Sequence, residues 1–128
     1  LRDLLQRPLN TVQESGDAAF TLVQQGAAST VAVSMGEQGA VLAHRHGVWH
    51  APALEVPATT GTTGAGDCFL AALVWALEHG DTPPEALRWG VAAGAAALLS
   101  PGTALAQAAD IHRLHAQVPV PQAITVAR

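Results

Sequence analysis

Gly61-Thr62-Thr63-Gly64-Ala65-Gly66-Asp67-Cys68-Phe69 is the stretch where a run of turn and hydroxyl residues gives way to an apolar helix. Gly64 and Gly66 flank Ala65, and glycine lets a backbone come close to a ligand and take φ values that larger residues resist. The free N–H groups of a helix's first turn point out along its axis, and the helix dipole favours negative charge there. The stretch therefore has the physics of an anion site. Asp67, at the same end, has two readings: a cap drawn to those N–H groups, or a base facing the bound anion.

Downstream, the apolar positions Phe69, Leu70, Leu73, Val74 and Leu77 predict a helix from Ala65 to about His79, with Trp75 on its flank and Gly80 as its stop. Cys68 reads as a small packing residue. Thr82-Pro83-Pro84-Glu85 has the form of a capping box with proline at the first helical position, and opens an Ala-rich helix to about Ser100. Gly90 and Gly94, four apart on it, let another group approach closely. Pro101-Gly102-Thr103 breaks the chain, a last helix is expected over Asp110 to Gln117, and a Pro-punctuated tail covers Val118 to Arg128.

Upstream, Thr11-Val12-Gln13-Glu14 is a second capping box, opening a helix to about Gln25 that ends at Gly26. Its stripe is Ala19, Leu22 and Val23, and Gly16 costs it about 1 kcal/mol against alanine. Thr30 to Ser34 is a short β-branched run of the kind found in strands covered on both faces. Ser34-Met35-Gly36-Glu37-Gln38-Gly39 leads to a second strand at Ala40 to Ala43, and on its own reads as a connection between strands. Gly47 to His50 then pairs back as a hairpin. Pro52 and Pro57 make Leu54 to Ala58 an edge strand or an extended approach to the anion loop. His44, His46 and His50 share strand parity, but no carboxylate or cysteine completes a metal site at ligand spacing, so they read as exposed histidines. His112 and His115 receive the same reading.

Composition narrows the function classes. In 128 residues, 49% are hydrophobic, enough for a core. A formal charge of −4, from 6 basic and 10 acidic residues, offers no broad basic surface for nucleic acid. One cysteine makes no internal disulfide and fits a reducing compartment. The most apolar run, Val91 to Leu99, falls short of the roughly 18 to 20 residues that span a membrane. We expect a cytoplasmic protein that binds neither membrane nor nucleic acid. Because the chain begins at Leu1, we expect its start to lie upstream.

Thr62 to Asp67 resembles the C-terminal signature of the phosphofructokinase-B (pfkB), ribokinase-like family of carbohydrate kinases. Gly61 departs from the Asp that many members carry. Ser34-x-Gly36-x-x-Gly39-Ala40, after a buried strand, is similar to that family's nucleotide-phosphate loop. The resemblance covers nearly the whole chain. It implies an α/β protein, the C-terminal half of a three-layer α/β/α fold truncated at its N-terminus, in which residues 1–128 carry the nucleotide-binding and catalytic-base portion of one domain. The sugar-binding half and its lid would be missing, and with them a homodimer contact through the lid.

The resemblance further implies ATP and Mg²⁺ as cofactors and a sugar phosphate as acceptor. Asp67 would be the catalytic base, Gly64, Ala65 and Gly66 the anion hole, and Ser34, Gly36, Gly39, Gly66 and Asp67 the ATP contacts, with no protein metal ligand. Gly90 and Gly94 then admit two readings, a neighbouring helix or the adenine. The Arg7-Pro8-Leu9 start, the Trp49 hairpin and the Trp89-Gly90 helix look most like 1-phosphofructokinases, which take fructose 1-phosphate to fructose 1,6-bisphosphate; tagatose-6-phosphate kinases are similar in this half. Two further readings stand beside it: another ribokinase-like kinase acting on an unphosphorylated sugar, and a nucleotide-binding piece without catalysis. A doubly wound dinucleotide-binding protein is disfavoured, because Gly36 and Gly39 do not supply the Gly-x-Gly-x-x-Gly turn it requires.

Overall fold

A computed structural model describes residues 12–35, 38–54, 65–99 and 108–125. The elements run α1 (Val12–Gln24), β1 (Thr30–Ser34), β2 (Ala40–His44), β3 (Gly47–Ala51), α2 (Ala65–Glu78), α3 (Pro83–Leu99), α4 (Ala108–His115) and β4 (Gln122–Ile124). The four strands form an antiparallel sheet in the order β1-β2-β3-β4. Val31 pairs with Ala43, Ala43 with Val48, and Val48 with Ile124.

Strand alternation sorts the sheet's side chains between two cores. Val31, Val33, Val41, Ala43 and Val48 face α1 and pack with Ala19 and Phe20. Ala32, Ala40, Leu42 and Ala51 belong to the opposite cluster, with Phe69, Leu73 and Ala76 of α2 and Ala86, Leu87, Val91, Ala92, Ala95 and Ala96 of α3. The result is three layers, helix, sheet, helix. β1 is indeed covered on both faces, as its unbroken apolar run predicts.

Several expectations are corrected by the structure. Gly16 lies where α1 comes close to the sheet: a Cβ there would stand 3.3 Å from Val48 Cγ1 and 3.4 Å from Ile124 Cδ1, so the missing side chain gives close packing beside its propensity cost. The buried side of α1 is accordingly Ser15, Gly16, Ala18, Ala19 and Phe20, while Leu22 and Val23 are only half-buried. On α2 the wide stripe is cut down: Phe69, Leu73 and Ala76 are buried, but Leu70 and Val74 remain 48% and 42% exposed, because α2 rests on α3 along one side. The tail is not all irregular, since Gln122–Ile124 add to β3 as a fourth strand. α4 also begins two residues before the expected Asp110 and ends at His115.

Helix stops are local. At the end of α2, Gly80 has φ +91, its N–H donates to Leu77 O at 3.2 Å, and the Asp81 N–H donates to Ala76 O at 3.0 Å. That pair of bonds is the Schellman arrangement, which a left-handed glycine makes possible. Gly26 ends α1 in the same way. The box at Thr82 is only half made. The Glu85 N–H lies 3.4 Å from Thr82 Oγ1, but both Glu85 carboxylate oxygens are taken by Arg88 and His115. Among the described residues no helix is long and apolar enough to cross a membrane. Thr11, residues 55–58 of the expected edge segment, Ser100 and Pro101-Gly102-Thr103 lie outside the described residues.

Candidate active site

α3 is the platform on which the site is built. Gly90 and Gly94 lie where the first turn of α2 crosses. A Cβ at Gly90 would stand 3.0 Å from the Phe69 ring and 3.1 Å from its carbonyl oxygen, and one at Gly94 3.4 Å from the carbonyl of Ala65. Of the two readings left open for these glycines, a neighbouring helix is the one found here. The same contact fixes the start of α2. Phe69 is buried against α3, and Asp67, two residues earlier, is exposed; Ala65, Gly66 and Cys68 are half-buried.

What α2 offers at this end is therefore an exposed carboxylate beside backbone N–H groups that have no partner within the helix. The chain has six arginines and no lysine. The three described arginines are all engaged away from α2: Arg88 with Glu85, His115 and Val118, Arg113 with Asp110, and Arg45 with His46. Among the described residues, positive potential at the start of α2 comes from the helix itself. Thr62, Thr63 and Gly64, the rest of the expected anion loop, lie outside the described residues.

The second expected loop rises from the same core. Ser34 is exposed at the end of β1, and Ala40, which starts β2, shares a cluster with Phe69. Between them the Met35 N–H donates to Gly39 O at 2.8 Å, and the Gln38 N–H donates to Met35 O at 3.1 Å. Gly39 is buried with φ +90, and a Cβ there would meet Ala51 O at 2.0 Å. Glycine is needed at this position for packing alone. Gly36 lies outside the described residues.

Among the described residues no three His, Cys, Asp or Glu side chains are grouped to hold a metal ion. His44 and His46 lie 5.2 Å apart at the hairpin turn, where burial, then His46 and Arg45, hold His44 below its ordinary value. His115 is not an exposed histidine: it stacks on Trp89 at 3.7 Å, and its Nε2 lies 2.6 Å from Glu85 Oε2. Arg88 completes the cluster by donating to Glu85 Oε1 and to the carbonyls of His115 and Val118, each at 3.0 Å. Nothing in the local sequence signals this tie, which joins residues about thirty positions apart.

The three-layer α/β/α body is that of the ribokinase-like kinases, solved structures of which superpose on most of this chain. The chain belongs to the pfkB family of carbohydrate kinases, whose model matches residues 1–110. It is 41% identical over 113 residues to the ATP-dependent 6-phosphofructokinase isozyme 2 of Mycobacterium tuberculosis, covering 88% of this chain and 33% of that protein. It is 28% identical over 120 residues to the 1-phosphofructokinase of Borreliella burgdorferi, covering 94% of this chain and 38% of that one. The crystal structure of Escherichia coli phosphofructokinase-2 in complex with substrates and products superposes with a TM-score of 0.80 at 33% identity, over 90% of this chain and 37% of that one. The chain thus spans little more than a third of the proteins it matches.

Proposed function

We propose that residues 1–128 form the nucleotide-binding and catalytic-base portion of a kinase that transfers the γ-phosphoryl group of ATP to a fructose monophosphate. The observation that carries this reading is the exposed Asp67 in the first turn of α2, held there by Gly90 and Gly94, in a chain of the pfkB family. The acceptor sugar is bound by the remaining length that the relatives carry. A homodimer contact through a lid and a place in the cytoplasm belong to the same proposal.

In this reading Asp67 takes the proton from the attacking sugar hydroxyl as its oxygen bonds to the γ-phosphorus and the bond to the ADP oxygen breaks. The N–H groups at the start of α2, from Gly64 to Asp67, donate to the phosphoryl oxygens and stabilise the charge spread over them. Ser34, Gly36 and Gly39 meet the nucleotide phosphates from the second loop. Mg²⁺ arriving with ATP neutralises phosphate charge. Such an ion would keep several of its waters and be held mainly by the phosphates.

Fructose 1-phosphate is the acceptor suggested by the sequence features around Trp49 and Trp89. The 41% identity to a 6-phosphofructokinase, against 28% to a 1-phosphofructokinase, favours a second reading with fructose 6-phosphate. Both acceptors give fructose 1,6-bisphosphate. An ADP-release assay on the full-length protein with the two acceptors, tagatose 6-phosphate and ribose separates the readings. Turnover of ribose alone would remove the sugar-phosphate assignment, and ATP binding without any turnover would leave a nucleotide-binding protein.

A further inference from the structure

His50 sits on β3 with its Nε2 2.7 Å from the carbonyl oxygen of Gln38, twelve residues earlier. A carbonyl oxygen only accepts, so Nε2 carries the proton and donates. Gln38 belongs to the turn between β1 and β2, which the Met35 N–H closes onto Gly39 O. That turn has a second anchor of a different kind. Gly39 is pressed on the backbone that follows His50, with the space of its absent Cβ filled by Ala51 O at 2.0 Å and by Pro52 C and Ala53 N at 2.9 Å. The end of β3 is therefore a seat for the turn: its backbone supports Gly39 from below, and the His50 imidazole fixes Gln38 from the side. Without the imidazole, the Gln38 carbonyl would turn to water, and the contact at Gly39 alone would hold Gln38 and Gly39 in place.

We propose that His50 is a positioning residue for nucleotide binding, holding Gln38 and Gly39 in the orientation in which Gly39 and the neighbouring Ser34 meet the phosphates of ATP. The inference rests on the kinase reading above and goes beyond it, because His50 touches neither substrate nor reacting atoms. Its effect belongs to the nucleotide and not to the sugar or to the proton transfer at Asp67.

The test compares His50→Phe, which keeps a flat ring but cannot donate, with His50→Gln, which keeps a donor, in the full-length protein. Steady-state kinetics and backbone amide exchange are read for both. Loss of one hydrogen bond of this kind raises the KM for ATP in His50→Phe by roughly threefold to tenfold. The sugar KM and kcat stay at wild-type values, exchange at the Met35 amide speeds up, and His50→Gln recovers most of the ATP KM. An ATP KM unchanged in His50→Phe overturns the role of His50 and leaves the kinase intact. A rise in both KM values that His50→Gln does not recover also overturns it, in favour of a general packing role. Absence of turnover in the wild-type protein overturns the kinase reading and this inference together.

Discussion

The ring of Phe69 lies against the bare backbone of Gly90, so close that a β-carbon on Gly90 would stand 3.0 Å from both Cδ1 and Cε1 of the ring. This contact, with Gly94 under the carbonyl of Ala65, sets how near the first turn of α2 comes to α3. The orientation of Asp67 follows from it.

Gly90→Ala therefore sets two opposed effects against each other. Alanine favours a helix interior by about 1 kcal/mol over glycine, while overpacking costs about 1 to 3 kcal/mol. One of the atoms met is the Phe69 carbonyl oxygen at 3.1 Å, which cannot swing aside as a side chain can. The clash wins, and urea denaturation should show a net loss of about 1 to 2 kcal/mol. Gly94→Ala, at ordinary contact distance of 3.4 Å, should be neutral or stabilising by up to about 1 kcal/mol. Equal effects at the two positions would mean that α2 is not seated on Gly90.

Gly39 and Gly26 separate conformation from space. Both have positive φ, +90 and +78, but a Cβ on Gly26 meets nothing within 4 Å. Gly26→Ala should cost about 1 kcal/mol, the left-handed penalty alone. Gly39→Ala adds a collision with the Ala51 carbonyl and should cost about 3 kcal/mol or more. Thermal melts of the two variants make the comparison.

Glu85 gives the fold an acid limit. Burial by itself pushes its carboxyl up, but hydrogen bonds from His115 and Arg88, with the charges of both, outweigh burial and hold it below its ordinary 4.5. The folded chain then binds fewer protons at Glu85 than the unfolded chain. Its contribution to stability is complete above pH 4.5 and is lost as pH falls through the lower folded value. Melting temperature should drop more steeply below about pH 4.5 in the wild type than in Glu85→Gln. Identical slopes would show that the tie between α3 and α4 adds nothing in solution.

The parts legible in sequence were those set by neighbours along the chain. Gly26 and Gly80 stop helices because one left-handed residue completes a local pair of bonds, and Thr30 to Ser34 announces a doubly covered strand by its unbroken apolar run. The three-residue β4 was hidden, since only β3 gives Gln122–Ile124 a reason to extend. Gly16 shows only its propensity cost in the sequence, whereas its closeness to Val48 and Ile124 is visible only in the fold. Asp67 stood out because it shares one short motif with a glycine-rich helix start. His50 did not, because its partner is a backbone carbonyl on another turn, and a carbonyl has no sequence signature.

The proposed role of Asp67 as the base of an ATP-dependent sugar-phosphate kinase is tested most directly by the turnover of Asp67→Asn in the full-length protein. Asp67 is exposed, so the substitution should leave the melting temperature as it is, and because its backbone N–H, kept in Asn, is the proposed phosphate contact, the nucleotide affinity should change little. The account predicts that kcat with ATP and the preferred fructose phosphate falls by roughly 100-fold to 10,000-fold. Wild-type turnover in Asp67→Asn, with the fold and ATP binding intact, would contradict it.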